Sequence, residues 1–252
     1  MPDAPSSPPR SSKYRERIYG QYVNAGTAPL APADLAGLGP RKPYLVKLIG
    51  EHFPSDRDAA ILELGCGHGA LLHFAQAAGY KHVAGVDRSP AQIAAAHALG
   101  IPDVREAGVL EALQASASAS QAAVVAFDVI EHFHKDELIE IVDEVRRVLE
   151  AGGRWIIHVP NGASPFAGVS RYGDLTHELA FTPESITQLL LASGFRSVAC
   201  FEDAPIAHGM KSALRLVFWK LLRQALLFWL MVETGARNPT VLSQNMLVVA
   251  VK

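Results

Sequence analysis

The run Ile61-Leu62-Glu63-Leu64-Gly65-Cys66-Gly67-His68-Gly69 constrains this chain more than any other stretch. An apolar segment of strand type meets three glycines at alternate positions, and a helical pattern begins directly after them. Glycine is needed where a chain turns with positive φ and where backbone must approach a ligand closely. Strand, glycine turn and helix start together open a parallel α/β sheet, whose ligands lie at the carboxyl ends of the strands. The spacing is G-x-G-x-G with an acid two residues before the first glycine. In the dinucleotide pattern G-x-G-x-x-G the third glycine comes one position later, and an acid at Glu63 has no role.

The remaining chain continues the alternation. Strands are expected at 59–64, 82–86, 103–106, 122–127, 154–159, 196–201 and 246–251. Helices are expected over 41–52, 69–78 and 134–150, with Gly152-Gly153 as the stop of the last. Ser89-Pro90 opens a further helix that Gly100 ends, and Thr182-Pro183 opens one that Gly194 ends. The polar stretch 113–121 carries no clear pattern. The fold class is therefore α/β, a doubly wound and mostly parallel seven-stranded sheet with right-handed crossovers. Residues 1–12, rich in Pro and Ser with no apolar core, read as a disordered tail that is neither signal nor anchor. Residues 13–252 read as one domain. Within it, 13–40 is an N-terminal flap, a short helix over 13–26 with Tyr14, Tyr19 and Tyr22 followed by a loop, and 205–240 is an apolar helical insertion.

Charge narrows the partners. With 23 basic and 25 acidic residues and a net charge of −2, the chain has no global field for gathering nucleic acid, so no nucleic-acid partner is expected. Cys66 and Cys200 form neither a disulfide framework nor a metal-type pair, which fits a reducing, cytoplasmic setting.

Asp87 closes the second strand, where its carboxylate can accept both hydroxyls of a ribose. With the glycine turn, this resembles the class I (Rossmann-like) S-adenosylmethionine-dependent methyltransferases, whose first motif reads E/D-x-G-x-G-x-G. The resemblance covers roughly 41–202, and the strand at 246–251 completes the family's sheet. It implies S-adenosylmethionine as cofactor, with Glu63 near the amino group and Asp87 on the ribose. The cofactor-contacting set that follows is Glu63, Gly65, Cys66, Gly67, Gly69, Asp87, Arg88 and Asp128. One departure stands out. The acid that many members place after the third strand, against the adenine, is replaced here by Gly108-Val109, and Glu106 is its nearest substitute.

Beyond the fourth strand, a helical turn starting at Asp128 would put Asp128, Glu131 and His132 on one face at i, i+3 and i+4. His177, in Gly173-Asp174-Leu175-Thr176-His177-Glu178, leaves the neighbouring fifth strand at the same sheet edge. This looks like the E-x-x-E-H metal motif of ubiquinone-type and small-RNA-type O-methyltransferases, which implies Asp128, Glu131, His132 and His177 as ligands of a divalent Mg or Mn ion. Asp in place of Glu at the first position shortens the reach by about one bond, ~1.5 Å. Three readings stand side by side: a metal that activates a hydroxyl, a metal-free acid/base site using Glu131, His132 and His177, and a structural role only. His68 is read as shaping the glycine turn, and His52, His73, His82 and His97 have no partners at ligand spacing.

The stretch 207–236 has no apolar run approaching the ~20 residues that span a bilayer. Lys211, Arg215, Lys220 and Arg223 interrupt its apolar face. Such a basic amphipathic helix packs on the sheet, seals a homodimer, or lies at a membrane surface against a lipid-linked substrate. With the G-D-x-T-H-E-x-x-F-T-P segment it resembles methyltransferases of bacterial surface-polysaccharide pathways. The expectation is an O-methyltransferase for a glycan or lipid-linked hydroxyl, cytoplasmic or peripheral to the inner face of the membrane. The alternatives are a phenolic or quinone-type small-molecule acceptor and a non-catalytic cofactor-binding assembly partner.

Overall fold

The structure is a computed structural model that describes residues 17–18, 31–235 and 241–252. The expected tail over 1–12 and most of the flap over 13–40 lie outside the described residues. The strands are β1 (Ala60–Leu64), β2 (His82–Asp87), β3 (Val104–Glu106), β4 (Gln121–Phe127), β5 (Leu149–Pro160), β6 (Ser197–Glu202) and β7 (Asn245–Val251). They form one sheet in the order β3-β2-β1-β4-β5-β7-β6. β1 to β5 run parallel, and β7 is antiparallel to both β5 and β6. The chain starts at the middle of the sheet, builds to one edge, returns and builds to the other. Its switch point therefore lies between β1 and β4, where a crevice forms at the carboxyl ends of the strands.

Among the described residues, the helices joined to these strands are α1 (Lys42–His52), α2 (Ala70–Ala77), α3 (Pro90–Ala98), α4 (Val109–Gln114), α5 (Lys135–Val148), α6 (Ala167–Tyr172) and α7 (Pro183–Ala192). A longer one, α8 (Met210–Thr234), stands between β6 and β7. Side-chain alternation divides the core. Val124, Ala126, Trp155 and Ile157 pack under α4, α5 and α7, whereas Ala123, Val125 and Ile156 pack under α1, α2 and α3. Central strands buried on both faces read as continuous apolar runs for this reason. Each fully buried Leu, Ile or Val contributes about 1.5–3 kcal/mol.

Local signals fix the helix starts. The Ser89 hydroxyl accepts from the Gln92 amide at 3.4 Å before Pro90, and the Thr182 hydroxyl accepts from the Ser185 amide at 3.2 Å before Pro183. Two expectations change. The helix begun near 134 ends at Val148, not at Gly152-Gly153, because Leu149 is already extended and pairs with Gln121. The expected loop before residue 41 contains a 3-10 helix, Leu35–Arg41, capped by Asp34. The 113–121 stretch, without a clear pattern in sequence, begins as the end of α4 and leads into β4.

Of the three readings of the apolar insertion, α8 does not fit that of a helix buried on the sheet. None of its 25 residues is buried, so it does not serve as a core helix of this chain. No helix among the described residues is long and apolar enough to cross a membrane.

Candidate active site

A cavity of about 600 Å³ opens at the carboxyl ends of β1, β2, β4 and β5. One side of it is the glycine turn. Gly65 sits at φ +68°, and a Cβ there would lie 2.5 Å from Cγ2 of Val129, so neither the turn nor the packing admits a larger residue. Gly85 allows β2 to pass the turn, since a Cβ would come within 2.7 Å of the Cys66 Cβ. The Asp87 carboxylate accepts the Gly67 amide and the Ser89 amide, both at 2.8 Å. These bonds fix its orientation and leave each oxygen further lone-pair capacity. Glu63 is buried, and its Oε2 has no hydrogen-bond partner. Burial pushes its carboxyl up to about 8 against the opposing charge of Arg41. An unpaired buried carboxylate costs free energy unless something pairs with it.

Glu63, Gly65, Cys66, Gly67, Asp87, Arg88 and Asp128 all line this cavity. Gly69 does not: at φ +78° it caps α2 behind the wall. Burial raises the Cys66 thiol well above its usual range, which leaves it a packing group. His68 is buried beside the turn, and burial lowers it, in keeping with a role in shaping the loop. Ala107, Gly108 and Val109 line the cavity after the third strand, where the family's acid is absent, and Glu106 is not among the lining residues. That wall therefore presents backbone and apolar groups.

The opposite side holds a different group. Glu131, His132 and His177 each bring one ligand atom within 4.8 Å of the others. Glu131 is fully buried, and neither oxygen accepts a hydrogen bond from another residue. Burial and the Asp128 charge push its carboxyl well above the usual range. The loop carrying His177 is fixed to this spot by the Glu178 and Leu179 amides, which donate to the Glu131 carbonyl at 2.8 and 2.9 Å.

Both histidines are oriented through Nδ1. The Thr176 hydroxyl donates to Asp174 Oδ1 at 2.7 Å, so at 2.9 Å its oxygen accepts from His132 Nδ1–H. His177 Nδ1–H donates to the Ser170 carbonyl at 2.9 Å. With Nδ1 donating, the Nε2 atom of each ring is the one turned toward the cluster. For His177 that atom lies 4.0 Å from Glu131 Oε1. Burial, with His177 beside it, lowers His132 and keeps it neutral near pH 7. Two imidazole lone pairs beside an unpaired buried carboxyl are a donor set that a divalent cation fits.

Asp128 does not belong to this set. It has φ +52°, and a 3-10 helix over Ile130–His132 replaces the helical turn that would have aligned it. Its carboxylate turns to the buried His158, with Oδ1 2.7 Å from Nδ1, and the Asp128 amide donates to the His158 carbonyl at 3.0 Å. On its other side His158 Nε2 lies 3.3 Å from Asp203 Oδ2. Burial alone would strip the His158 proton, but Asp128 and then Asp203 outweigh it and push the imidazole up to about 10. Burial would raise Asp128, and the His158 bond and charge hold it low instead. His158 and Asp203 were not singled out in the sequence. The available signal was an ionisable residue inside the apolar strand Trp155-Ile156-Ile157-His158-Val159, where a polar group requires partners.

Comparison with known proteins bears on this geometry. Residues 41–199 match the family described as "Methyltransferase domain". No curated protein matches the chain. Among solved structures, an S-adenosylmethionine-dependent methyltransferase from Archaeoglobus fulgidus is 19% identical over 87% of this chain and 100% of its own, with a TM-score of 0.61. Phosphoethanolamine N-methyltransferase 2 of Haemonchus contortus, bound to S-adenosylmethionine, is 17% identical with a TM-score of 0.62. That match covers 98% of this chain and 61% of the nematode protein. A Burkholderia thailandensis 1,6-didemethyltoxoflavin-N1-methyltransferase bound to S-adenosylhomocysteine is 17% identical over 100% of this chain and 93% of its own, with a TM-score of 0.55.

Proposed function

The chain belongs to the methyltransferase domain family, and from that premise we propose that this S-adenosylmethionine-dependent methyltransferase methylates a hydroxyl, that of a sugar in a glycan or lipid-linked precursor, with help from a divalent cation. The observation that carries the reading is the Glu131, His132 and His177 cluster beside the cavity that also holds the glycine turn, with His132 and His177 in its wall. A hydroxyl is a poor nucleophile until it loses its proton, whereas a free amine needs no such group.

Bound in the cavity, S-adenosylmethionine supplies a sulfonium methyl group, and a divalent cation supplies charge that lowers an acceptor hydroxyl's pKa. The chain's own residues do the remainder. Asp87 receives ribose hydroxyls, Glu63 pairs with the cofactor's ammonium, and the turn at Gly65 and Gly67 leaves room for both. Glu131, with the Nε2 atoms of His132 and His177, holds the cation. Imidazole donors favour Mn or another first-row metal over Mg. The acceptor proton passes to water, and the Ser170 carbonyl holds the His177 ring in place. Asp174 and Thr176 act through His132 by fixing its tautomer.

The test supplies purified protein and labelled S-adenosylmethionine with glycan and lipid-linked extracts, catechols and simple amines in parallel, with EDTA and then with Mn restored. Label on a glycan hydroxyl that EDTA removes and Mn returns supports the reading. Label on amines alone overturns it, and metal-independent turnover of catechols moves the acceptor to the phenolic class.

A further inference from the structure

We propose that α8 is an in-plane membrane anchor that rests its outward face on anionic lipid. Leu214, Phe218, Leu221, Phe228 and Val232 recur at helical spacing on one side of α8, and all are more than half exposed. At ~1.5 Å per residue, these positions make an apolar strip about 27 Å long on the 25-residue helix. A monomeric soluble surface rarely leaves so continuous a strip in water. The opposite face is already used: Ser212, Leu216, Trp219 and Arg223 are half-buried toward the body, with Arg223 paired to Glu202. The apolar strip is therefore not the helix's packing face turned the wrong way.

Charge selects the occupant. α8 carries four of the chain's 23 basic residues and one of its 25 acids, against a negative total. Lys211, Arg215 and Lys220 are exposed and flank the apolar strip at ~100° per residue. Pairing with the same helix of a second copy would bring these cations together, with Glu233 alone to offset them. A surface that is anionic outside and apolar beneath matches both the flanks and the strip. Exposed Trp229 lies on the same side as Lys211, where an indole settles at headgroup level. Because no helix among the described residues is fit to cross a membrane, this one lies along it. The proposal does not depend on which acceptor is methylated.

Vesicle flotation tests it directly, using the full chain and phosphatidylcholine vesicles with and without about one third phosphatidylglycerol. The protein should float with the anionic vesicles and not with the neutral ones, and the tryptophan emission should shift to the blue. Reversing Lys211, Arg215 and Lys220 to Glu together should weaken vesicle binding on the order of a hundredfold. Leu221→Glu should abolish the blue shift. Both variants alter exposed positions, so circular dichroism and S-adenosylhomocysteine affinity should match the wild type. A protein that stays out of the anionic vesicle fraction overturns the proposal. So does a concentration-dependent dimer that Leu221→Glu dissociates in the absence of any flotation.

Discussion

The two ends of the cavity are built by different means. At the cofactor end, the acidic groups and the turn come from the stretch Glu63 to Asp87, much of whose surface is backbone held open by glycine, and Ala107 to Val109 and Asp128 complete the wall. At the acceptor end, Glu131 and His132 come from a 3-10 helix after β4, and His177 comes from a loop after β5. What holds these together is long-range: the Glu131 carbonyl to the Glu178 and Leu179 amides, and His132 to Thr176. The first end is therefore rigid by local geometry, and the second is assembled by tertiary contacts. Damage to the second should remove chemistry and spare cofactor binding, and damage to the first should do the reverse.

The largest effect expected is on turnover. His177→Ala should lower methyl transfer by about 10²–10⁴-fold, the usual weight of a positioned proton-transfer or metal-activation group. Cofactor affinity by calorimetry should stay within about twofold, because Glu63, Asp87 and the glycine turn are left unchanged. Wild-type turnover in that variant would show His177 to be a bystander. Asp87→Ala should act the other way, weakening S-adenosylhomocysteine binding by about 10²–10³-fold through two lost charge-assisted hydrogen bonds. Normal affinity there would refute its ribose role and, with it, the contrast between the ends.

Legibility in sequence follows the same division. The glycine turn, Asp87 and the alternation of strands and helices were readable because short-range spacing encodes them. His132 and His177 were readable as candidates, since both stand in loops at one sheet edge. Asp128 was not readable, because its alignment with Glu131 assumed helical dihedrals that φ +52° and the 3-10 helix replace. Nor was His158, which owes its importance to Asp203, a residue far along the chain. For α8 the apolar pattern was plain, but periodicity cannot say which face meets the body; only the half-buried Leu216 and Trp219 settle that.

A smaller effect sharpens the cofactor end. Burial holds the Glu63 carboxyl at about 8, while a ligand ammonium pairs only with the ionised form. Uptake below that value must release the proton, so affinity should rise about tenfold per pH unit from pH 5 to 7. It should level near 7.5 to 8 as the ligand's own α-amino group, with pKa about 8, loses its charge. Glu63→Gln should flatten this slope, and an unchanged slope in the variant would assign the proton elsewhere.

The smallest effect concerns the bridge between the ends, Asp128 with His158 and Asp203. The His158 imidazole is raised from its ordinary value near 6.5 to about 10 in the folded protein. A raised folded value means that stability from the protonated bridge is fully present below pH 6.5 and is lost as pH climbs through 10. Thermal melts should therefore show the wild type losing a few degrees between pH 7 and 10 beyond what His158→Gln loses, the latter having no proton to release. Asp128 lines the cavity, has φ +52° and is bonded into this bridge. If the ends are independent, His158→Gln should lower stability with little change in cofactor affinity. A joint fall in affinity and turnover would instead make Asp128 the element that couples the two, and the division drawn between them would have to be given up.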